Sequence, residues 1–279
     1  MEKIMLNNYV EMPMLGIGTF MMSPEEAYDS VSEALRVGYR LIDTANAYCN
    51  ERAIGRAIKD SGIPREEIFI SSKLWPSEYE NPNCIDETLE RLGVDYIDLL
   101  MLHQPVGEYV GAYKMMEDAF IEGKIKALGI SNFELEEQEI LFNNCRILPQ
   151  IVQAEAHPYF TQNELRRVLN AKDIVLMSWF PLGHGDPELL NEPVFKEIGD
   201  KYGKDPVQVI LRWHNRLGFV TIPSSTNAEH IRSNFNIFDF ELSDEDMLKI
   251  HEINKNEKYY ERSVDSLIGF LQHVPDYEK

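Results

Sequence analysis

Residues 41–48 read LIDTANAY. Leu41 and Ile42 close a short apolar run on Asp43, and Tyr48 follows five positions later. The pattern recurs along the chain: MLGIG runs to Thr19, IFISSK to Lys73, IDLLMLH to His103, KALGIS to Ser131, IVQ to Gln153, IVLMSW to Trp179 and FVTIPS to Ser224. With RLIDT these make eight runs, each stopping on a polar or aromatic group. Their ends are spaced by about one strand-plus-helix unit of roughly 30 residues, apart from a longer excursion between Trp179 and Ser224. Continuous apolar runs mean strands buried on both faces, as in a parallel sheet covered by helices.

The intervening segments carry helix starts. Ser23-Pro24-Glu25-Glu26 combines an N-cap, an early proline and a capping-box glutamate, followed by Ala27, Val31 and Leu35 on one face. Thr161-Gln162-Asn163-Glu164 repeats the capping-box pattern before Leu165, Val168 and Leu169, and Ser243 opens a further helix carrying Met247 and Ile250. The acidic run ELEEQE at 134–139 reads as the solvated first turns of a helix, with its acids near the positive end. Eight strand-helix units close naturally into a barrel, so the expected fold is a single (β/α)8 TIM-barrel domain over residues 1–279. A doubly wound open sheet is the alternative, and the absence of GxGxxG after the first strand counts against it.

Composition narrows the setting. A net charge of −20, from 47 acidic against 27 basic residues, disfavours nucleic acid and anionic membranes as partners. The start MEKIMLNNYV lacks the apolar core of a signal peptide, and no run approaches the ~20 apolar residues of a bilayer span. Cys49, Cys84 and Cys145 are scattered and odd in number, which suggests neither a disulfide framework nor a zinc site. A cytoplasmic protein is expected.

In such a barrel the C-terminal strand ends share one face, so Asp43, Lys73 and His103 would meet there with Tyr48 on the loop beyond. A phenol has an ordinary pKa near ~10, and an adjacent ammonium favours its ionised form. The aspartate would keep that ammonium charged, and the histidine could orient a carbonyl oxygen. The set suits proton donation to a carbonyl, and any hydride must come from a cofactor. It offers no activated nucleophile: there is no GxSxG elbow and no cysteine beside a histidine in sequence. For His157, the neighbouring Pro158 points to a fixed turn, hence a structural role.

DTANAY, Lys73 in SSKLW and His103 in LLMLHQP together resemble the signature of bacterial members of the aldo-keto reductase family. So do GIGTF (16–20), GISNF (129–133), QAEAHPY (153–159), WFPLG (179–183) and NFNIFDFELS (234–243). The resemblance implies a barrel closed at its bottom by an N-terminal hairpin, here about Ile4 to Met12 with Asn7-Asn8 at the turn. It implies an extended NADPH or NADH and reduction of a small carbonyl substrate by a monomer. Tyr48 then corresponds to the general acid, Lys73 and Asp43 to the pair that tunes it, and His103 to the group that positions the carbonyl. Ser131, Asn132 and Gln153 correspond to the carboxamide contacts, and Trp179 replaces the usual tyrosine under the nicotinamide. Gly18, Thr19, Phe20, Asp43, Phe180, Leu182, Ile222, Pro223, Ser224, Ser225, Thr226, His230 and Asn234 fall at the remaining cofactor positions. Phe20, Trp75 and Gln104 are expected to wall the substrate pocket, and no metal is implied.

Two departures stand out. Ser224 and His230 occupy the positions of the lysine and arginine that grip the 2′-phosphate of NADPH in many relatives, leaving Arg232 as a replacement contact. Charge-assisted bonds to phosphate contribute roughly 1.5–3 kcal/mol each, so NADH use is expected to gain. Phe180 stands where a serine often meets the pyrophosphate. Two other readings remain open: a catalytically idle regulator that senses cofactor, and a metal-dependent hydrolase using Asp43, His103 and His157, which lacks an HxH pair.

Overall fold

Parallel strands with apolar side chains on both faces need helices outside and a filled interior, and the chain provides both. The structure, a computed structural model, describes residues 1–277. A hairpin of β1 (Lys3–Met5) and β2 (Glu11–Pro13) precedes eight parallel strands: β3 (Ile17–Gly18), β4 (Leu41–Asp43), β5 (Phe69–Leu74), β6 (Leu99–Leu102), β7 (Leu128–Ser131), β8 (Ile151–Glu155), β9 (Val175–Trp179) and β10 (Val220–Thr221). Each pairs with the next in chain order. β3 and β10 meet through bridges from Leu15 to Thr221 and from Gly18 to Ser224, which close the (β/α)8 barrel. Gly18 is required at that seam, because a Cβ there would lie 2.8 Å from the carbonyl oxygen of Ile222.

The helices are α1 (Pro24–Val37), α2 (Glu51–Asp60), α3 (Cys84–Leu92), α4 (Tyr109–Ile121), α5 (Leu135–Phe142), α6 (Asn163–Asn170), α7 (Pro187–Leu190), α8 (Pro193–Tyr202), α9 (Pro206–Arg216), α10 (Ala228–Phe235), α11 (Asp244–Glu252) and α12 (Val264–Gln272). The long excursion before the last strand holds α7, α8 and α9. Among the described residues no helix is long and apolar enough to cross a membrane.

The expected caps at Ser23 and Ser243 form: each serine accepts from the backbone N–H three residues on, and Glu26 and Asp246 complete the boxes. Glu134 and Glu137 make a capping box at the acidic start of α5. The box expected at Thr161 does not form. Thr161 is fully buried with its hydroxyl unpartnered, and α6 starts after Gln162, whose φ is +55° and whose side-chain amide donates to the carbonyl of Glu155. Anchoring that turn to the end of β8 takes precedence over capping the helix.

Leu6 and Met12 of the hairpin pack with Leu41, Leu99, Ile151 and Val220 inside the barrel, so the hairpin plugs one end. Its turn is stitched there. The Asn8 side chain donates to the carbonyl of Lys126, and Gln150 donates to Asn7 Oδ1 at 3.0 Å, each partner lying just before the start of a barrel strand. With the N-terminal end of the barrel stoppered, the opposite end is left for chemistry.

Candidate active site

The parallel register fixes which side chains meet at the open end. Asp43 sits opposite Gly18 and Ser71, Lys73 opposite Met101, and Ser131 opposite Gln153. Asp43, Ser131 and Trp179 end their strands; Lys73 is penultimate in β5, and His103 follows Leu102 directly. β8 continues two residues beyond Gln153 to Glu155.

The Lys73 side chain is fully buried and donates to Asp43 Oδ2 at 2.6 Å and to the carbonyl of Thr44 at 2.7 Å. Asp43 Oδ1 accepts from the Ser71 hydroxyl at 2.8 Å and from the Gln153 amide at 3.1 Å. Burial pulls the Lys73 ammonium below its usual range, opposed by the Asp43 carboxylate and then by Glu51. Glu51, at the start of α2, is itself buried, accepts from Ser72 at 2.7 Å and pairs with Arg91 at 2.7 Å. Sequence reasoning missed Glu51; the only local signal was Ser71-Ser72 leading into Lys73.

Tyr48 ends a short 3-10 turn, Asn46–Tyr48, followed by Cys49 at φ +55°. Lys73 Nζ lies 5.1 Å from the centroid of the Tyr48 ring. Phe20 packs on the phenol at 5.2 Å, and His103 meets it edge-on at 5.6 Å between ring centroids. The expected acidification of Tyr48 is reversed: burial and then the Asp43 carboxylate push the phenol well above its ordinary value. The ammonium's influence is offset by the carboxylate bonded to it, so desolvation decides the direction. Burial and then the Lys73 charge hold His103 well below the usual histidine range, as a neutral imidazole. His103 Nδ1 is buried without a partner.

One wall of the opening is amide-rich. Ser131 donates to Gln153 Oε1 at 3.3 Å, and the Asn132 amide donates to the carbonyl of His103 at 3.1 Å from a left-handed backbone at φ +65°. Trp179 packs edge-on with Phe180 at 4.7 Å; its indole N–H is buried and unpartnered. Phe180 is left-handed at φ +51° and lies against His184, beside half-buried Leu182. Adjacent amide and hydroxyl groups next to an indole face fit a nicotinamide carboxamide and ring, each supplying both donors and acceptors.

Thr19 is buried and donates its hydroxyl to the carbonyl of Asp43. Past β10, Ile222 and Pro223 are buried, Ser225 is half-buried, and Ser224, Thr226 and His230 are exposed; Asn234 is buried in α10. Arg232, the replacement contact read from the sequence, is paired with Glu33 of α1, which Arg36 also holds at 2.7 Å. On the other side Trp75 is buried edge-on against His103 at 5.0 Å and donates its indole N–H to the carbonyl of His273. Gln104 is buried with its side-chain oxygen unpartnered, and its backbone exchanges hydrogen bonds with Tyr79. His157 is held apart by Glu155, at 3.0 Å. Among the described residues no three His, Cys, Asp or Glu side chains gather closely enough to hold a metal ion, the trio Asp43, His103 and His157 included.

This geometry belongs to a known class of barrel. Residues 14–255 match the family described as the aldo/keto reductase family, and the chain belongs to it, as an oxidoreductase. It is 43% identical over 262 residues to the glyoxal reductase of Bacillus subtilis (strain 168), covering 92% of this chain and 94% of that protein. The fold matches the aldose reductase of Schistosoma japonicum with a TM-score of 0.90 at 31% identity, over 100% of both chains. It matches an aldo-keto reductase solved in complex with NADPH with a TM-score of 0.87 at 29% identity, over 93% of this chain and 90% of that one.

The pairing at Lys73 sets a large cost for removing the cation. In Lys73→Met the buried Asp43 carboxylate keeps Ser71 and Gln153 but loses its counter-charge. Breaking a buried pair by removing one partner costs roughly 3–5 kcal/mol, so the variant should lose about that much stability. Urea unfolding of both proteins at neutral pH measures it, and a loss below about 1 kcal/mol would contradict the assignment.

Proposed function

We propose that this protein reduces small aldehydes and α-dicarbonyls to alcohols with NADH or NADPH, as a monomer with one catalytic domain. The observation that carries the reading is the packing of Tyr48, Lys73, Asp43 and His103 into one cluster at the open end of the barrel. The nicotinamide supplies hydride when bound; the chain supplies everything else. Neutral His103 offers an N–H to the carbonyl oxygen and sets its direction. Tyr48, protonated at rest, passes its hydrogen to that oxygen, and Lys73 stabilises the phenolate that results. Ser131, Asn132 and Gln153 would hold the carboxamide, and Trp179 would offer its indole face to the ring. Phe20, Trp75 and Gln104 bound the space left for the substrate. The 43% identity to a glyoxal reductase supports the α-dicarbonyl class.

At the adenosine end Ser224 and His230 are exposed and the guanidinium of Arg232 is engaged with Glu33, so no free cation waits for a 2′-phosphate among the residues named there. NADH is therefore accepted well.

Replacing Tyr48 with phenylalanine should lower kcat by ~10²–10⁴ while leaving NAD(P)H affinity nearly unchanged. Steady-state turnover of glyoxal, alongside a cofactor titration, checks this; undiminished turnover would overturn the role of Tyr48. The pH profile provides an independent test. An imidazole held well below 6.5 stays neutral above that value, so kcat/KM for a neutral aldehyde should show no acid limb with a midpoint above 6.5, while the Lys73 ammonium, pulled below 10.5 by burial, sets any alkaline limb. Cofactor choice is read from kcat/KM for NADH and NADPH at neutral pH. The expected values lie within about tenfold of each other, and an advantage of about a hundredfold for NADPH, some 2.7 kcal/mol, would refute the account of the adenosine site.

A further inference from the structure

The segment from Lys255 to Arg262 leaves α11 and crosses the rim beside Trp179, far in sequence from every residue assigned above. Its backbone is tied down at four points. The N–H groups of Lys255 and Glu257 donate to the carbonyl of Tyr159 at 3.1 and 3.3 Å, and those of Tyr259 and Tyr260 donate to the Glu155 carboxylate at 2.6 and 3.2 Å. Glu155 is buried at the end of β8 and also pairs with His157, so the strap is fastened to the strand that carries Gln153. The Tyr259 hydroxyl donates to Asp186 in the loop after β9.

Two side chains of the strap reach residues of the proposed nicotinamide wall. Tyr260 packs edge-on against Trp179, with centroids 6.2 Å apart. Arg262 spans three partners: one nitrogen donates to the carbonyl oxygen of Asn132 at 3.2 Å, and another donates to Glu137 of α5 at 2.7 Å and lies 3.3 Å from a carboxylate oxygen of Glu134. Its side chain is largely buried, at 14% exposure, which strengthens both bonds relative to a solvated pair. Asn132 needs this support. Its left-handed φ of +65° is sparsely populated for an L-residue, and its peptide orientation decides where its amide points.

We propose that Arg262 is a positioning residue for the nicotinamide half of the cofactor, acting by fixing the Asn132 peptide from behind while the same strap buttresses Trp179. The inference rests on the proposed function and goes further by assigning part of the nicotinamide wall to the C-terminal strap. The adenosine end lies past β10 and shares none of these contacts, so the effect should be confined to one half of the dinucleotide.

The test compares Arg262→Ala, Arg262→Lys and the native protein by isothermal titration with NADH and NADPH and with ADP-ribose and its 2′-phosphate, the fragments lacking nicotinamide. Arg262→Ala should raise the dinucleotide Kd about tenfold or more and leave the fragment Kd within about twofold of native. Arg262→Lys, which keeps the charge but not the two-pronged reach, should fall between them. A dinucleotide Kd within about twofold of native in Arg262→Ala, or equal losses for dinucleotide and fragment, would overturn the inference alone. A native protein that binds neither dinucleotide would overturn the proposed function as well.

Discussion

A fully buried ammonium, that of Lys73, sets the terms for the open end of the barrel. Removing two charges from water costs several kcal/mol per ion even after relaxation, and attraction between them repays this only when the remaining hydrogen-bonding capacity is filled. Here most of it is met from several parts of the chain. Thr44 accepts from the ammonium, while Ser71 and Gln153 donate to Asp43. A second buried carboxylate, Glu51, is satisfied by Ser72 and Arg91, linking β5 to the helices outside it. The chemistry is therefore not a decoration on a finished barrel, because the ion pair and its donors fix how β4, β5 and β8 approach one another.

Burial, together with the same pairing, explains why Tyr48 rests as a phenol. A cation acting alone beside the ring would favour the phenolate. Desolvation of the ring's hydroxyl opposes it, and Asp43, bonded to that cation, adds to the opposition. The proton donation proposed for Tyr48 would gain from this arrangement. The phenol would be protonated when substrate arrives, and the nearby cation would matter most as negative charge develops on the oxygen. His103, neutral under the same burial, is left to supply a hydrogen bond rather than a charge.

Much of this was legible in the sequence, for a physical reason. A parallel barrel forces consecutive strand ends to one rim, so Asp43, Lys73 and His103 could be brought together from apolar runs alone, and the hairpin and its Asn7-Asn8 turn followed from the resemblance. Residues that act across the chain were not legible. Glu51 reads as an ordinary first-turn acid, and Arg262 reads as a surface charge 130 positions from Asn132. The direction of the Tyr48 shift depends on burial, which no spacing encodes. Thr161 failed as a cap because tertiary anchoring of Gln162 outweighed a local preference.

Arg232 shows how a missing contact and an occupied one combine. Glu33 holds two guanidinium groups, Arg36 through two hydrogen bonds and Arg232 across the gap between α10 and α1. Arg232 is half exposed, at 47%, so this pair is of the weak, solvent-screened kind. A 2′-phosphate could draw Arg232 away, since it carries more charge than a carboxylate, but Glu33 would then be left to Arg36 alone. The affinity gained is the difference between two ion pairs rather than the full value of one. A ribose diol makes no such demand, so on the proposed reading the absence of fixed cations at Ser224 and His230 would erode the preference for phosphate without closing the site to it.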